Sequence, residues 1–127
     1  HGGPPWEGMR WYHNTILANP GNLFSLRHME PGQTWEVFNN LVLLGKATSG
    51  KPQDGAAWGG NFAGEPSFTQ PGDFRLPSNC PAIDAGVPLA KDWFDPLREQ
   101  ERGQPDAGAI PAGAERLRVG RNGRLSF

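Results

Sequence analysis

Two segments of the chain share one pattern of aromatic, polar and apolar positions. The first is WYHNTILAN at residues 11–19, and the second is VFNNLVLLG at residues 37–45; they align without a gap. Each has an aromatic residue, then a polar pair ending in Asn, then an apolar run that stops at a turn-forming residue. The alignment places Asn14 over Asn40, 26 residues later. A strand-like repeat of this length predicts a stacked repeat architecture.

This pattern favours an all-β fold, and more narrowly a right-handed parallel β-helix. Each coil of such a helix supplies short strands that pair with the next coil about 4.8 Å away. Equivalent side chains then stack, so we expect Asn14 and Asn40 to share hydrogen bonds through their amides. Between the two repeats, residues 22–29 (NLFSLRHM) predict a further short strand and residues 30–33 (EPGQ) a tight turn.

The pattern changes after the second repeat. Residues 45–61, GKATSGKPQDGAAWGGN, are expected to form a long Gly-rich loop. This stretch lacks the residue order of a phosphate-binding loop and has no helix pattern after it, so it does not predict a nucleotide site. At the other end, residues 116–127 predict a terminal β-hairpin that turns at Asn122-Gly123.

The composition agrees with short strands and many turns. Eighteen Gly and thirteen Pro among 127 residues make up roughly a quarter of the chain, about twice their usual share. Both residues break helices, so this composition argues against a helical bundle. Five Trp and seven Phe are too many for a disordered chain and indicate a core.

Charge and cysteine content exclude several function classes. The net charge of −1 gives no electrostatic basis for binding nucleic acid. Four arginines near the end of the chain are expected to be solvated on the hairpin, with an anion-binding patch as the alternative; they are Arg116, Arg118, Arg121 and Arg124. The single cysteine, Cys80, allows neither an intramolecular disulfide nor a zinc cluster, and we expect it to be a small buried apolar residue.

The sequence contains no membrane-spanning pattern. No run of 18 apolar residues occurs, and the first residues do not read as a signal peptide. Because the chain begins with His rather than Met, we expect a trimmed product or a piece of a longer protein.

Four ordered elements in the second half of the chain resemble the C-terminal part of bacterial right-handed parallel β-helix repeat proteins. In that family the elements are Asp-Pro-x-Phe, Gly-Asp-Phe-x-Leu, Ser-Pro-Ala-Ile-Asp-x-Gly and Asp-Ile-Gly-Ala. The chain departs from them at Glu65, Cys80 and Ala107, and the resemblance covers roughly residues 11–110. The matching stretches are Glu65-Pro66-Ser67-Phe68, Gly72-Asp73-Phe74-Arg75-Leu76, Cys80-Pro81-Ala82-Ile83-Asp84-Ala85-Gly86 and Asp106-Ala107-Gly108-Ala109.

The resemblance implies an organisation and a class of function. Residues 1–64 would be the last coils of the β-helix, residues 65–110 a C-terminal capping segment, and residues 111–127 the terminal hairpin. Family members are mostly secreted or attached to the cell surface. Many are polysaccharide lyases or related carbohydrate-active proteins, and many have no known activity. The resemblance therefore implies a polysaccharide as partner, together with an upstream part of the same β-helix or a stacked copy.

Two alternatives to a carbohydrate-active protein stay open. The first is a non-catalytic surface or matrix scaffold, or an adhesin-like protein. The second is a chain that assembles end to end, so that a neighbouring copy covers its first coil. A fold by itself does not decide between a lyase, a hydrolase and a scaffold. If the protein is an enzyme, its active site is expected upstream of this segment.

The stretch PAIDAG is expected to act as a lid on the last coil. An open end of a β-helix exposes strand edges, and repeat proteins need a terminal cap. Prolines in this stretch would block further pairing, while Ala82 and Ile83 cover the core. The Asp84 side chain is expected to be buried there, accepting backbone N–H groups from a turn that Gly86 makes feasible.

Few residues suggest catalysis. Arg27 and His28 are the best local candidates for the base and cation that a polysaccharide lyase needs, with an ordinary surface pair as the alternative. His13 stands where the second repeat has Asn39, which favours a ladder or surface position over a base.

Aromatic and acidic residues supply the candidates for ligand binding. Four aromatic rings could stack on the apolar face of sugar rings, with packing under loops or between coils as the alternative; they are Trp6, Trp11, Tyr12 and Trp35. Asp92, Asp95 and Asp106 could offer oxygen ligands to Ca²⁺, but their spacing fits no compact calcium loop. We therefore expect no metal and no cofactor.

Overall fold

The described residues of the protein are almost entirely strands and irregular segments. The computed structural model describes residues 8–17, 22–24, 32–44, 46–48, 55–65, 67 and 74–115, in which helical residues are confined to Ser67 and a 3-10 turn at Arg98–Gln100. The all-β prediction is confirmed for this part of the chain. The strands are β1 (Gly8–Tyr12), β2 (Thr15–Leu17), β3 (Asn22–Phe24), β4 (Thr34–Phe38), β5 (Leu41–Leu43), β6 (Lys46–Thr48), β7 (Ala56–Gly59) and β8 (Phe62–Gly64).

The strands form three small parallel sheets. One sheet has the order β1-β4-β7, a second has the order β2-β5-β8, and in the third β3 pairs with β6. The chain therefore makes three successive passes, and each strand lies beside its counterpart in the next pass. Parallel neighbours need such a return of the chain between them, because a tight hairpin joins only antiparallel strands.

The backbone register confirms the 26-residue repeat that the alignment of residues 11–19 with residues 37–45 predicts. Tyr12 lies opposite Phe38, and Ile16 lies opposite Val42. The third pass follows at a shorter offset, with Phe62 opposite Leu41.

The end of the second pass and the start of the third correct one prediction. The stretch at residues 45–61 is not a long loop, because it contains strands β6 and β7. The Gly, Pro and Asp residues of this stretch are typical of loops, so its composition did not indicate strands. In addition, Asn61 follows Asn40 by 21 residues, whereas Asn40 follows Asn14 by 26. Gly59 and Gly60 stand where the second pass has Phe38 and Asn39, so the aromatic–polar signature is missing.

Every pass bends at an equivalent residue with left-handed backbone. His13 has φ of 50°, Asn39 has φ of 53° and Gly60 has φ of 62°. Asn, His and Gly are among the residues that tolerate this conformation best. The bend separates the first strand of each pass from the second, and we call it the strand corner; it comprises residues 13–14, 39–40 and 60–61.

The second residue of each corner is Asn, and the three side chains stack as a ladder. Asn14 Nδ2 donates to Asn40 Oδ1 over 2.7 Å, and Asn40 Nδ2 donates to Asn61 Oδ1 over 2.8 Å. The backbone N–H groups of Asn14 and Asn40 donate to the same two oxygens, each over 3.1 Å. The predicted pairing of Asn14 with Asn40 is confirmed, and Asn61 is a third member that the sequence pattern did not reveal.

Residues 74–115, which we call the tail segment, form a hydrophobic core with one face of the second sheet. Leu41 and Leu43 project from the same face of β5 because side chains alternate along a strand. Both are buried, and they join four buried residues of the tail segment, Leu76, Cys80, Ala82 and Ala107. Cys80 is a free, buried thiol, as expected. Ala82 is part of this core and the partly buried Ile83 packs against it.

The tail segment lies alongside the stacked passes rather than across their end. It meets the first pass where Ala109 N–H donates to Thr15 Oγ1, and the second where Gly108 N–H donates to the Asn39 carbonyl. It meets the third pass at Gly60, where an added Cβ would lie 2.8 Å from Gly86 Cα. A lid on the last coil alone would not contact all three passes, so the described contacts do not support the expected position of this segment.

Two predictions of further strands have different outcomes. Strand β3 falls within the stretch 22–29 for which a strand is predicted. The predicted hairpin at residues 116–127 lies outside the described residues.

Candidate functional site

The polar groups of greatest chemical interest meet where the tail segment covers the strand corner. His13 Nε2 lies 3.7 Å from Asp95 Oδ2, and Arg98 Nε lies 4.0 Å from the same oxygen. The side chains of His13 and Asp95 are only 14% and 11% exposed. The same nitrogen, His13 Nε2, also lies 3.4 Å from Asn39 Nδ2. His13 is therefore a largely buried residue of the corner that contacts Asn39, rather than a surface residue.

Burial lowers the pKa of His13 below its ordinary value. The removal of water disfavours the imidazolium, while Asp95 and a hydrogen bond with the Gly108 backbone favour it less strongly. A neutral imidazole also lets Nε2 accept a hydrogen bond from Asn39 Nδ2. Because the folded-state pKa of His13 is lowered, its contribution to stability is present above about pH 6.5 and is lost as the pH falls.

Glu101 is a partly buried carboxyl group that feels the charge of three neighbouring carboxyl groups. Its Oε2 accepts the Asp106 backbone N–H over 3.2 Å. Burial raises the pKa of Glu101 from 4.5 to about 7, and the neighbouring carboxyl groups of Asp106, Asp95 and Asp84 add to the increase. Glu101 thus exchanges its proton near neutral pH, which is the property of a general acid or base.

Asp106 is the buried carboxyl group of the tail segment. Its Oδ1 accepts the Asp84 backbone N–H over 2.8 Å, and its Oδ2 accepts the Ala112 backbone N–H over 2.5 Å. The buried acceptor role predicted for Asp84 therefore belongs to Asp106, and that prediction is wrong: Asp84 is exposed. Asp84 itself has the left-handed φ of 56°.

Gly86 is needed because other atoms pack closely against its backbone, not because it adopts a left-handed conformation. A Cβ added there would lie 2.6 Å from the Pro105 carbonyl oxygen and 3.0 Å from the Asn39 side chain. The Asn39 amide uses this proximity, because its Nδ2 donates to the Val87 carbonyl over 2.8 Å and its Oδ1 accepts the Val87 N–H over 2.7 Å. A side chain at position 86 would therefore push the tail segment off the strand corner.

Replacing Asp106 with Asn should lower the free energy of unfolding by about 1–3 kcal/mol, because one of its two acceptor oxygens becomes an N–H₂ group that faces a backbone donor. Urea unfolding followed by tryptophan fluorescence measures this. Asp92→Asn is the matched control, since Asp92 is exposed. An equal effect of the two substitutions would contradict the role given to Asp106.

An aromatic contact fastens the tail segment to the first sheet. The Trp93 ring centroid lies 5.0 Å from that of Tyr12 and 5.9 Å from that of Phe38. Tyr12 Oη donates to the Phe94 carbonyl over 2.7 Å. The Arg10 guanidinium lies 4.6 Å from the Trp93 ring and is held by Glu36 at 2.8 Å. This contact is the second attachment of the tail segment, beside the strand corner.

The three described aromatic residues that were proposed to stack on sugars, Trp11, Tyr12 and Trp35, do not share one face. Trp11 and Tyr12 are consecutive on β1, so their side chains project from opposite faces. Trp35 shares its face with Trp11, because Trp35 lies opposite Met9 and Trp11 opposite Val37. Tyr12 packs on Trp93, while Trp11 is 40% exposed. Carbohydrate binding by each of them stays a prediction.

The remaining sequence candidates are placed as follows. Trp6, Arg27 and His28 lie outside the described residues. Asp95 and Asp106 belong to the carboxyl group cluster around Glu101, and Asp92 is exposed. Within residues 8–17, 32–44 and the other described ranges, no three His, Cys, Asp or Glu side chains are placed to bind a metal ion.

A cavity of about 570 Å³ lies beside the core of the tail segment. It is lined by residues 75–78, by Ile83 and by residues 112–114. Among the described residues of the lining, Arg75 is charged and the others are apolar or carry a hydroxyl group. These described residues include no pair of titratable groups for acid–base chemistry.

Sequence reasoning named His13, Asp95 and Asp106 separately, but it did not predict that they lie together, and it missed Glu101. These residues are up to 93 positions apart, since 13 and 106 bound the set, and no local spacing links them.

Comparison with protein-family models, with curated proteins and with solved structures found no significant match to the chain. Among the described residues, no helix has both the length and the apolar character that a membrane span requires.

Proposed function

We propose that the chain forms coils of a right-handed parallel β-helix in a secreted or cell-surface protein that binds or cleaves polysaccharide. In this proposal the chain is mainly structural, and the tail segment buttresses the coils from the side. The observation that carries the fold is the three-pass strand order with Asn14, Asn40 and Asn61 stacked at equivalent corners.

The strand order supports a helical stack in three ways. The first two passes each contribute one strand to all three sheets in the same order, the third contributes β7 and β8 to the first two, and the paired strands are parallel. The first residue of each corner has left-handed backbone, although the residue changes from His13 to Asn39 to Gly60. Val37 and Val42 are fully buried and project from the faces opposite to those that the tail segment covers, which suits an interior enclosed by the sheets.

The assignment to carbohydrate-active proteins rests on resemblance. Its support is the order of the four elements between Glu65 and Ala109, together with the Asn-containing repeats. Function does not follow from fold, so this part of the proposal is an analogy. Among the described residues, every buried side-chain nitrogen and oxygen has a hydrogen-bond partner, which favours a structural role for the polar corner.

The first pass exposes apolar side chains that a further coil or a second copy of the chain could cover. Trp11 is 40% exposed and Leu17 is 64% exposed, whereas their counterparts in the middle pass, Val37 and Leu43, are 0% and 2% exposed. An upstream part of the same β-helix, or a stacked copy, would bury these positions. Sedimentation of the purified chain distinguishes them, because only a stacked copy makes the mass depend on concentration.

The function is tested on the complete natural protein with a panel of acidic and neutral polysaccharides. We expect retention on at least one of them in affinity electrophoresis, or formation of unsaturated or reducing ends. A complete lack of binding and cleavage across the panel would remove the carbohydrate proposal and leave a scaffold or adhesin-like protein.

A further inference from the structure

The stack of passes ends in two strand edges, one at the first pass and one at the third. Among the strands that the structure describes, β1 and β2 each pair on one side only, and so do β7 and β8. We call β1 and β2 the first-pass edge, and β7 and β8 the third-pass edge. A strand edge is a template for a further strand. Because the pairs are parallel, the third-pass edge of one molecule has the strand direction that the first-pass edge of another requires.

We propose that copies of the chain stack head to tail, so that the third-pass edge of one copy pairs with the first-pass edge of the next. The first two sheets and the Asn ladder then continue from one copy into its neighbour. This inference rests on the stacked coils of the proposed function, but not on the binding or cleavage of polysaccharide.

The two ends of the Asn ladder carry complementary hydrogen-bonding groups. Along the ladder, each Oδ1 accepts the backbone N–H and the Nδ2 of the Asn in the preceding pass. Among the described residues, Asn14 Oδ1 has no donors of this kind. Asn61 Nδ2 donates to the Val37 carbonyl, and within the described part of the chain no ladder acceptor follows Asn61. Asn61 of one copy can therefore donate to Asn14 Oδ1 of the next, as Asn40 donates to Asn61.

The two edges also match in the size of their side chains. The register of β5 with its two neighbours gives the pairs across the contact, which are Ile16 with Ala63 and Leu17 with Gly64. Large side chains of one edge thus lie beside small residues of the other, an arrangement that fills space without crowding. This match of sizes favours a copy of the chain itself as the occupant of the first-pass edge.

Burial of apolar side chains supplies the driving force for stacking. Trp11 is 40% exposed, while Val37, which lies opposite it on β4, is fully buried between β1 and β7. Leu17 is 64% exposed, while Leu43, its counterpart between β2 and β8, is 2% exposed. A stacked copy gives the first pass the second neighbour that the middle pass already has. The apolar burial is non-directional, and the ladder sets the register.

Sedimentation equilibrium of the full chain between about 10 μM and about 1 mM tests the contact. A head-to-tail contact joins two different surfaces, so it continues into rings or open filaments. The average mass of the natural sequence should therefore rise at least about twofold above the 13.8 kDa of one chain. Leu17→Lys on the first-pass edge or Ala63→Lys on the third-pass edge should abolish the rise, because lysine on a strand edge opposes further pairing. Both positions are exposed, so the fold should accept these substitutions.

A mixture of the two variants gives the sharpest result. Each variant alone should be monomeric, since each lacks one half of the contact. In the mixture, the intact first-pass edge of Ala63→Lys meets the intact third-pass edge of Leu17→Lys, so a one-to-one dimer should form and grow no further. Phe94→Lys, at a 74% exposed position of the tail segment, is the control and should associate like the natural sequence. If circular dichroism shows that Ala63→Lys does not fold, Ala57→Lys, at an exposed position of β7, replaces it.

The proposal is overturned if the natural sequence stays monomeric over the whole range, since the first-pass edge would then belong to a preceding coil or to another partner. It is also overturned if association survives lysine on either edge, or if the mixed variants stay monomeric. Nuclear Overhauser contacts between the three passes separate this failure from that of the proposed coils. If a monomeric chain shows these contacts, the stacking of copies is removed and the coils remain.

Discussion

Replacing Asn40 with Ala should lower the free energy of unfolding by about 3 kcal/mol, the largest loss that we expect from a single polar substitution. Asn40 is fully buried, and its amide makes four hydrogen bonds. Its Oδ1 accepts from the backbone and the side chain of Asn14, and its Nδ2 donates to the Trp11 carbonyl and to Asn61 Oδ1. Alanine would leave these partners buried without a replacement.

The measurement is urea unfolding of the full chain, monitored by far-ultraviolet circular dichroism. Asn14→Ala is the matched control, because Asn14 occupies the equivalent corner in the first pass and is only partly buried. We expect it to lose about 1 kcal/mol. Equal losses for the two variants would show that the ladder does not continue through Asn40 in the way described.

Replacing Leu43 with Ala should lower the free energy of unfolding by about 2–4 kcal/mol. Leu43 is 2% exposed and packs in the core that β5 forms with the tail segment. The substitution removes three buried carbon atoms and leaves a cavity, since a close-packed core relaxes only partially. The same unfolding experiment measures the loss.

Leu17 gives this prediction a control of identical chemistry. It lies directly opposite Leu43 in the parallel pairing of β2 with β5, yet it is 64% exposed. Leu17→Ala should change the free energy of unfolding by less than about 0.5 kcal/mol. If Leu17→Ala were as damaging as Leu43→Ala, the placement of the tail segment against β5 would be contradicted.

The sequence allowed the first two passes to be predicted because their patterns are nearly identical. An aromatic residue, a left-handed corner residue and an Asn recur at the same spacing, and Asn14 indeed stacks on Asn40. The third pass was not predicted for two reasons. Its corner residue is Gly60, which adopts the left-handed backbone but lacks the polar side chain of His13 and Asn39. Its offset from the second pass is also shorter than the offset between the first two passes. Only Asn61 kept the signature of the ladder.

The position of the tail segment was harder to predict for a different reason. Its core residues, such as Cys80 and Ala82, could be identified as buried from their small apolar side chains. Which surface they would cover depends on β5, whose two faces are both buried: Leu41 and Leu43 on one side and Val42 on the other. A strand that is apolar on both faces gives no sign of which face meets the tail segment. The choice between Asp84 and Asp106 as the buried carboxyl group likewise depends on tertiary contacts rather than on local pattern.

The central claim is that the chain makes three parallel passes in a fixed register, and nuclear Overhauser contacts in the isotope-labelled full chain test it most directly. We predict backbone contacts that link Trp35 to both Met9 and Ala56, and Leu41 to both Thr15 and Phe62. Antiparallel contacts between these strands, or the absence of contacts from the second pass to residues 56–64, would contradict the account.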